Sequence, residues 1–140
     1  MNYEFLDIAI SDGVATVTMN RPDVLNGLHP ESHHEMESIW RDLGEDDDVR
    51  AAILTGAGKA FCAGGDLKDM EARLNLDPNG GSGISAASAR RIIYNLLDFE
   101  KPLIGAINGH AIGLGATLGL LCDIVISSET AKWGDPHINI

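Results

Sequence analysis

The sequence predicts a mixed α/β fold, and three observations predict it. Two short strand-like runs joined by Asp12-Gly13 open the chain as a hairpin. Behind them, apolar runs of strand length alternate with stretches of helical period. Two glycine-rich segments, residues 56–65 and 108–117, each follow an apolar run and lead into a helix.

Residues 3–10 and Val14–Met19 read as the two hairpin strands, and Asn20-Arg21-Pro22-Asp23 ends the second. Pro30 opens a helix with Glu31 in its first turn. Met36, Ile39, Trp40 and Leu43 share one face of it, and Gly44 is the expected C-cap. Residues 51–55 read as a buried strand, 56–65 as a glycine-rich loop and 66–74 as a short helix. Residues 77–83, Asp-Pro-Asn-Gly-Gly-Ser-Gly, read as a turn. Ala86–Leu97 is amphipathic, with Ile92, Ile93, Leu96 and Leu97 on one side. Leu103–Ile107 and Ile124–Ser127 are expected strands, with a short buried helix over 115–121 between them.

The chain has 140 residues, 44% of them hydrophobic and 22% charged, which suits one globular domain. A formal net charge of -11 excludes a general nucleic-acid binder, because phosphate contacts need clustered Lys and Arg. Residues 44–48, Gly-Glu-Asp-Asp-Asp, read as a solvated helix exit. The N-terminal residues carry neither a basic region nor an apolar stretch typical of a secretory signal. Residues 102–126 are apolar enough to suggest a membrane span. Asn108, His110 and Asp123 interrupt them, and glycine recurs throughout, so buried core is expected instead. Cys62 and Cys122 form no motif and fit a reduced, cytoplasmic protein. No repeat and no linker is visible, so 1–140 is read as one unit. Its end after Pro136-His137, with no closing element, is read as a cut within a fold.

Two segments could carry chemistry. Residues 59–67, Lys-Ala-Phe-Cys-Ala-Gly-Gly-Asp-Leu, follow a strand, and Asp66 is a good N-cap for the next helix. Small residues there let backbone N–H groups approach an anion or a developing oxyanion. Residues 108–117 repeat the plan, with amides near Leu114 and Gly115 at the start of a helix. Converging, the two loops would make a two-donor oxyanion hole. On residues alone, tight strand-to-helix packing explains both equally well. Gly113, Gly115 and Gly119 make a loose variant of a dinucleotide fingerprint, but no acidic residue follows at the required distance. His29, His33, His34 and Glu37 lack a metal-site pattern and are expected on a solvated helix face, so no metal is expected.

Four blocks together resemble the crotonase (enoyl-CoA hydratase/isomerase) family. They are residues 21–28, Arg-Pro-Asp-Val-Leu-Asn-Gly-Leu; 60–67, Ala-Phe-Cys-Ala-Gly-Gly-Asp-Leu; 101–124, from Lys-Pro-Leu-Ile-Gly-Ala-Ile-Asn-Gly to Leu-Cys-Asp-Ile; and 131–137, Ala-Lys-Trp-Gly-Asp-Pro-His. They stand in family order. The resemblance implies a spiral of β-β-α units, here lacking the C-terminal helices, in homotrimers or dimers of trimers. It implies an acyl-CoA or related carbonyl substrate, with coenzyme A as part of that substrate and no separate cofactor, nucleic acid or membrane partner. An RNA-binding role, also met among relatives, conflicts with the net charge.

Carried over residue by residue, the oxyanion donors fall on the amides of Gly65 and Leu114. Leu114 stands where most relatives have Gly, but any residue except Pro supplies the N–H. Substrate-contacting positions fall on Val24, Leu25, Gly27, Ala63, Gly64, Asp66, Leu67, Gly113, Gly115 and Pro136. The two hydratase carboxylates fall on Thr117 and His137. Neither is Glu, so the expected chemistry is enolate stabilisation with His137 exchanging the proton and Thr117 as a hydrogen-bonding neighbour. A β-diketone C–C hydrolase using His137, or a catalytically degenerate relative, is the alternative.

Overall fold

The computed structural model describes residues 2–77, 84 and 86–136. In chain order the elements are β1 (Leu6–Ser11), β2 (Val14–Met19), α1 (Pro30–Gly44), β3 (Ala51–Gly56), β4 (Ala60–Cys62), α2 (Leu67–Leu76), α3 (Ala86–Leu97), β5 (Leu103–Ile107), β6 (His110–Ile112), α4 (Leu114–Leu120), β7 (Ile124–Ser127) and β8 (Trp133–Gly134). The expected turn over 77–83 lies, beyond Asp77, outside the described residues.

β1 and β2 pair antiparallel with Ser11 opposite Val14. Asp12 (φ 53°) and Gly13 (φ 81°) make the turn, both in the left-handed region that a two-residue hairpin of this kind requires. β1 begins three residues later than the sequence suggested. The amides of Glu4 and Phe5 donate to the Glu35 carboxylate at 2.8 Å instead of joining the ladder, and Tyr3 gives its hydroxyl to Asp42.

The larger sheet runs β1-β2-β3-β5-β7, parallel from β2 onward. Alternate residues of β2, β3 and β5 are buried: Ala15, Val17 and Met19; Ala52 and Leu54; Leu103 and Ile107. They join Met36, Ile39, Trp40 and Leu43 of α1 and Ile92 and Leu96 of α3 in one core. Leu97 does not follow its predicted face and is 57% exposed, because one further step around the helix carries it off the core. The edge strand β7 is exposed along its whole length. The apolar segment 102–126 is thus divided among three strands and a helix. No described helix is long and apolar enough to cross a membrane.

A second parallel sheet has the order β4-β6-β8, and its first strand, β4, lies inside the segment 56–65 where a loop was expected. β4 and β6 have three residues each and pair with each other across nearly fifty residues of sequence. Such strands leave no local periodicity to read. At Gly56 a Cβ would lie 2.3 Å from the Phe61 carbonyl oxygen, so only glycine lets β3 fold back so closely on β4.

Candidate functional site

The site is built on the two strand-to-helix junctions. β4 runs into Ala63-Gly64-Gly65, and Asp66 caps α2 by accepting from the Asp69 amide at 3.2 Å. β6 runs into Gly113, whose φ of 55° turns the chain into α4. The junctions meet backbone to backbone. A Cβ on Gly115 would lie 2.2 Å from the Cys62 carbonyl oxygen. One on Gly64 would lie 2.8 Å from the Ile112 oxygen and 3.5 Å from the Leu114 nitrogen. Among the described residues, neither the Gly65 nor the Leu114 N–H has a protein acceptor. Adjacency of the two loops is therefore a consequence of glycine at 64 and 115.

A third segment completes the surroundings. After Arg21 the chain makes a short 3₁₀ turn, Pro22–Val24, then two left-handed residues, Leu25 (φ 54°) and Asn26 (φ 57°). Asn26 is 1% exposed, and its Nδ2 donates to the carbonyls of Ala57, Ala60 and Phe61. Its Oδ1 accepts from the Arg21 amide at 2.9 Å. Beyond it the segment runs alongside the first glycine loop: Ala63 N donates to Leu25 O, Leu28 N to Gly64 O and Asp66 N to Leu28 O. Sequence reasoning passed over Asn26. The signal was an Asn before Gly in a loop, since Asn accepts the left-handed conformation more readily than most residues.

Asp23, Val24, Leu25, Ala63, Gly65, Asp66, Leu67 and Lys68 line a cleft of about 290 Å³. Six of the sequence-derived positions are among them: Val24, Leu25, Ala63, Gly65, Asp66 and Leu67. Asp23 and Lys68 were not singled out as contacts. Gly27 packs against Asp66 rather than lining the cleft, and Gly64, Gly113, Leu114 and Gly115 form the junction beside it. Pro136 is half-buried after β8 and outside the cleft lining. Thr117 is exposed on α4 and gives its hydroxyl to the Gly113 carbonyl one turn back. His137 lies outside the described residues.

Among the charged residues that line the cleft, Asp66 is committed. Arg21 pairs with Asp66 at 2.9 Å and also donates to the Gly27 carbonyl. Burial pushes the Asp66 carboxyl up, but the Asp69 amide and the Arg21 guanidinium more than offset this and hold it below the usual carboxylate range. Burial raises the Cys62 thiol to about 11, so it is neutral packing rather than a nucleophile at neutral pH.

Of the four residues expected on a solvated helix face, His34 is exposed and the other three are not. His29 caps α1, its Nδ1 accepting from the Ser32 amide while Ser32 Oγ accepts from the His29 amide at 3.0 Å. His33 is 2% exposed and meets Ser88 Oγ at 3.2 Å; Glu37 is 8% exposed and pairs with Arg91. The reason is that α3 packs on that face, which the sequence of α1 alone does not show. A wider groove of about 750 Å³ lies there, lined by Glu37, Trp40, Arg91, Asn95, Lys101 and others. Several of its polar groups are engaged: Asn95 donates to the Glu37 carbonyl, and Lys101 Nζ to those of Leu43 and Asp46.

A parallel sheet carrying a spiral of β-β-α units, with two glycine junctions packed together, defines a crotonase-fold protein. A family model described as enoyl-CoA hydratase/isomerase matches residues 9–140. The chain is 40% identical over 134 residues to a 1,2-epoxyphenylacetyl-CoA isomerase of Escherichia coli, covering 93% of this chain and 50% of that protein. It is 38% identical to an (E)-benzylidenesuccinyl-CoA hydratase of Thauera aromatica, covering 95% and 50%. A crystal structure of an enoyl-CoA hydratase from Mycobacterium marinum superposes with a TM-score of 0.86 at 36% identity, covering 97% of this chain and 63% of that one. The chain belongs to the enoyl-CoA hydratase/isomerase family, and it spans about half the length of the curated relatives it matches.

Proposed function

We propose that the protein binds an acyl-CoA thioester and stabilises the enolate formed from it with two backbone amides, those of Gly65 and Leu114. The observation that carries this reading is the close packing of the two glycine junctions, with both N–H groups free of protein acceptors among the described residues. A thioester oxygen that gains negative charge is favoured by donors already held in place, because no reorganisation is needed as charge develops. The cleft beside Gly65 is walled by the Asp23–Leu25 turn and by Ala63, Asp66 and Leu67, which suits mainly backbone and apolar contact with the rest of the substrate. Both relatives named above are CoA-ester enzymes by name, one an isomerase and one a hydratase.

In this proposal His137 moves the proton and Thr117 does not. The Thr117 hydroxyl is spent on the backbone of its own helix, and a hydroxyl stays protonated at neutral pH. A single titrating group suits enolate protonation, isomerisation or C–C cleavage better than a two-carboxylate hydration. That same observation favours the second reading, a β-diketone hydrolase of this fold.

Leu114→Pro is the decisive variant. Proline is accepted at the first position of a helix, so the substitution deletes the N–H while leaving α4 in place. We expect kcat toward the turned-over acyl-CoA or diketone to fall by roughly 10²–10³-fold, the cost of one oxyanion donor. Leu114→Gly keeps the amide and keeps kcat. Equal kcat in Leu114→Pro and wild type would remove the two-amide site. His137→Ala, assayed on crotonyl-CoA and on a β-diketone, separates the two readings.

A further inference from the structure

We infer that Arg21 is a positioning residue for the Gly65 amide: it fixes the adjoining Asp66 and cancels the carboxylate charge next to the oxyanion donor. The inference rests on the reading of Gly65 given above.

Arg21 and Asp66 are 45 residues apart in sequence, and their side chains are 18% and 6% exposed. The Arg21 guanidinium reaches Asp66 Oδ2 with one terminal nitrogen and the Gly27 carbonyl with the other. Its carbon sits 5.8 Å from the centre of the Phe5 ring. Its backbone is tied as firmly: Arg21 N donates to Asn26 Oδ1, and Arg21 O accepts from Asn26 N, both at 2.9 Å. This leaves the guanidinium no freedom to serve a substrate phosphate, although Arg21 is among the cations closest to the cleft.

Asp66 is held in turn by its own amide to Leu28 O (3.0 Å), by the Asp69 amide to Oδ1 and by Arg21 to Oδ2. Gly64 O accepts from Leu28 N at 2.7 Å. Gly65 lies between these two anchors, so its N–H direction depends on both. Glycine itself offers no side chain to set that direction, and the anchor through Asp66 is the ionic one.

The charge argument is separate. A buried carboxylate one residue from the donor opposes negative charge building on a bound oxygen, and in a site shielded from water that opposition is strong. Pairing with Arg21 makes the Asp66 neighbourhood neutral. Losing the guanidinium therefore harms the enolate more than it harms the neutral ligand, whereas loss of mere packing harms both alike.

The test uses bound acetoacetyl-CoA, a β-keto thioester whose enolate absorbs in the near ultraviolet, with amide NMR of the ligand-free protein in parallel. R21A is expected to raise the pH at which the bound ligand enolises by about one unit, a tenfold loss, while binding of the keto form changes much less. The Gly65 and Asp66 amide signals move in the free R21A protein. R21A/D66N recovers most of the enolate loss, since the unpaired charge is gone, but the Gly65 signal stays displaced. R21K, which also serves if R21A does not fold, keeps the charge with one donor head: the enolate is nearly retained and the Gly65 signal shifts. Equal loss of keto and enolate binding in R21A, or R21A/D66N no better than R21A, overturns the charge role. An unmoved Gly65 signal in R21A overturns the positioning role. If the wild type fails to stabilise the enolate, the oxyanion reading falls, and the free-protein amide signals alone decide whether Arg21 holds Gly65.

Discussion

The face where the glycine junctions meet and the face where α1 meets α3 are assembled on opposite plans. At the junctions, backbone touches backbone: Gly115 lies on Cys62, and Gly64 on Ile112. Side chains there are few, and the polar atoms left free are amides. Between α1 and α3 the contact is made by long polar side chains, with Glu37 at the centre of bonds to Arg91 and Ser88, and His33 beside Ser88. The first plan allows no adjustment, because a carbonyl oxygen cannot step aside as a rotamer can. The second tolerates substitution, because half-exposed partners such as Arg91 regain water. Rigidity is thus concentrated where a developing charge would need fixed donors.

Four experiments would break or sharpen this contrast. The largest effect is expected at Gly115→Ala, whose methyl would sit 2.2 Å from the Cys62 oxygen. We expect a loss of about 3 kcal/mol in urea unfolding, the upper part of the range for overpacking. A cost under about 1 kcal/mol would mean the junction is pliable and the contrast fails. Glu37→Ala comes next. It leaves the Ser88 hydroxyl and Arg91 short of one acceptor each, and we expect about 1–2 kcal/mol by the same measurement, with Glu37→Gln recovering part.

Acid titration follows. Burial lowers the His33 pKa below 6.5, so the unfolded chain takes up a proton there while the folded one resists. Stability then falls as pH drops below about 6.5, and His33→Asn flattens that limb. For Glu37, burial raises the pKa, but Arg91 and Ser88 overcome it and leave it lowered; the Asp66 pKa is lowered as well. Their contribution is complete above the unfolded values near pH 4 and is lost below them, as a second limb. A single limb near pH 4 would show that His33 titrates normally. The smallest effect is expected at Arg73→Ala. Its pairs with Asp69 and Glu31 are solvated, so the melting temperature should stay within scan error.

The same contrast explains what the sequence disclosed. Helix α1 declared its core face through Met36, Ile39, Trp40 and Leu43, and the hairpin declared itself at Asp12-Gly13, because both signals are local. The glycine junctions were visible as composition, and Asp66 as a cap. The strands β4 and β6 were not, because three residues carry no period and each pairs with a partner far along the chain. His33 and Glu37 were misread as solvated because their burial depends on α3, more than fifty residues away. Of the two positions that correspond to the hydratase carboxylates, Thr117, expected as a hydrogen-bonding neighbour, is bonded to its own helix, and His137 lies outside the described residues.

Asn26 has one further consequence, for the chemical ageing of the protein. Asn-Gly is the dipeptide most prone to lose ammonia, by attack of the glycine nitrogen on the asparagine side chain. In the fold, the Gly27 N–H is bound to the Val24 carbonyl and the Asn26 amide is enclosed by three backbone oxygens. The attack therefore requires local opening. A carboxylate formed there would face those same oxygens without protons to offer them, and the loop could not close again as before. Deamidation at position 26 thus records how often the segment beside the first glycine junction has come undone. An increase of one mass unit in the tryptic peptide spanning Asn26 would read that record directly.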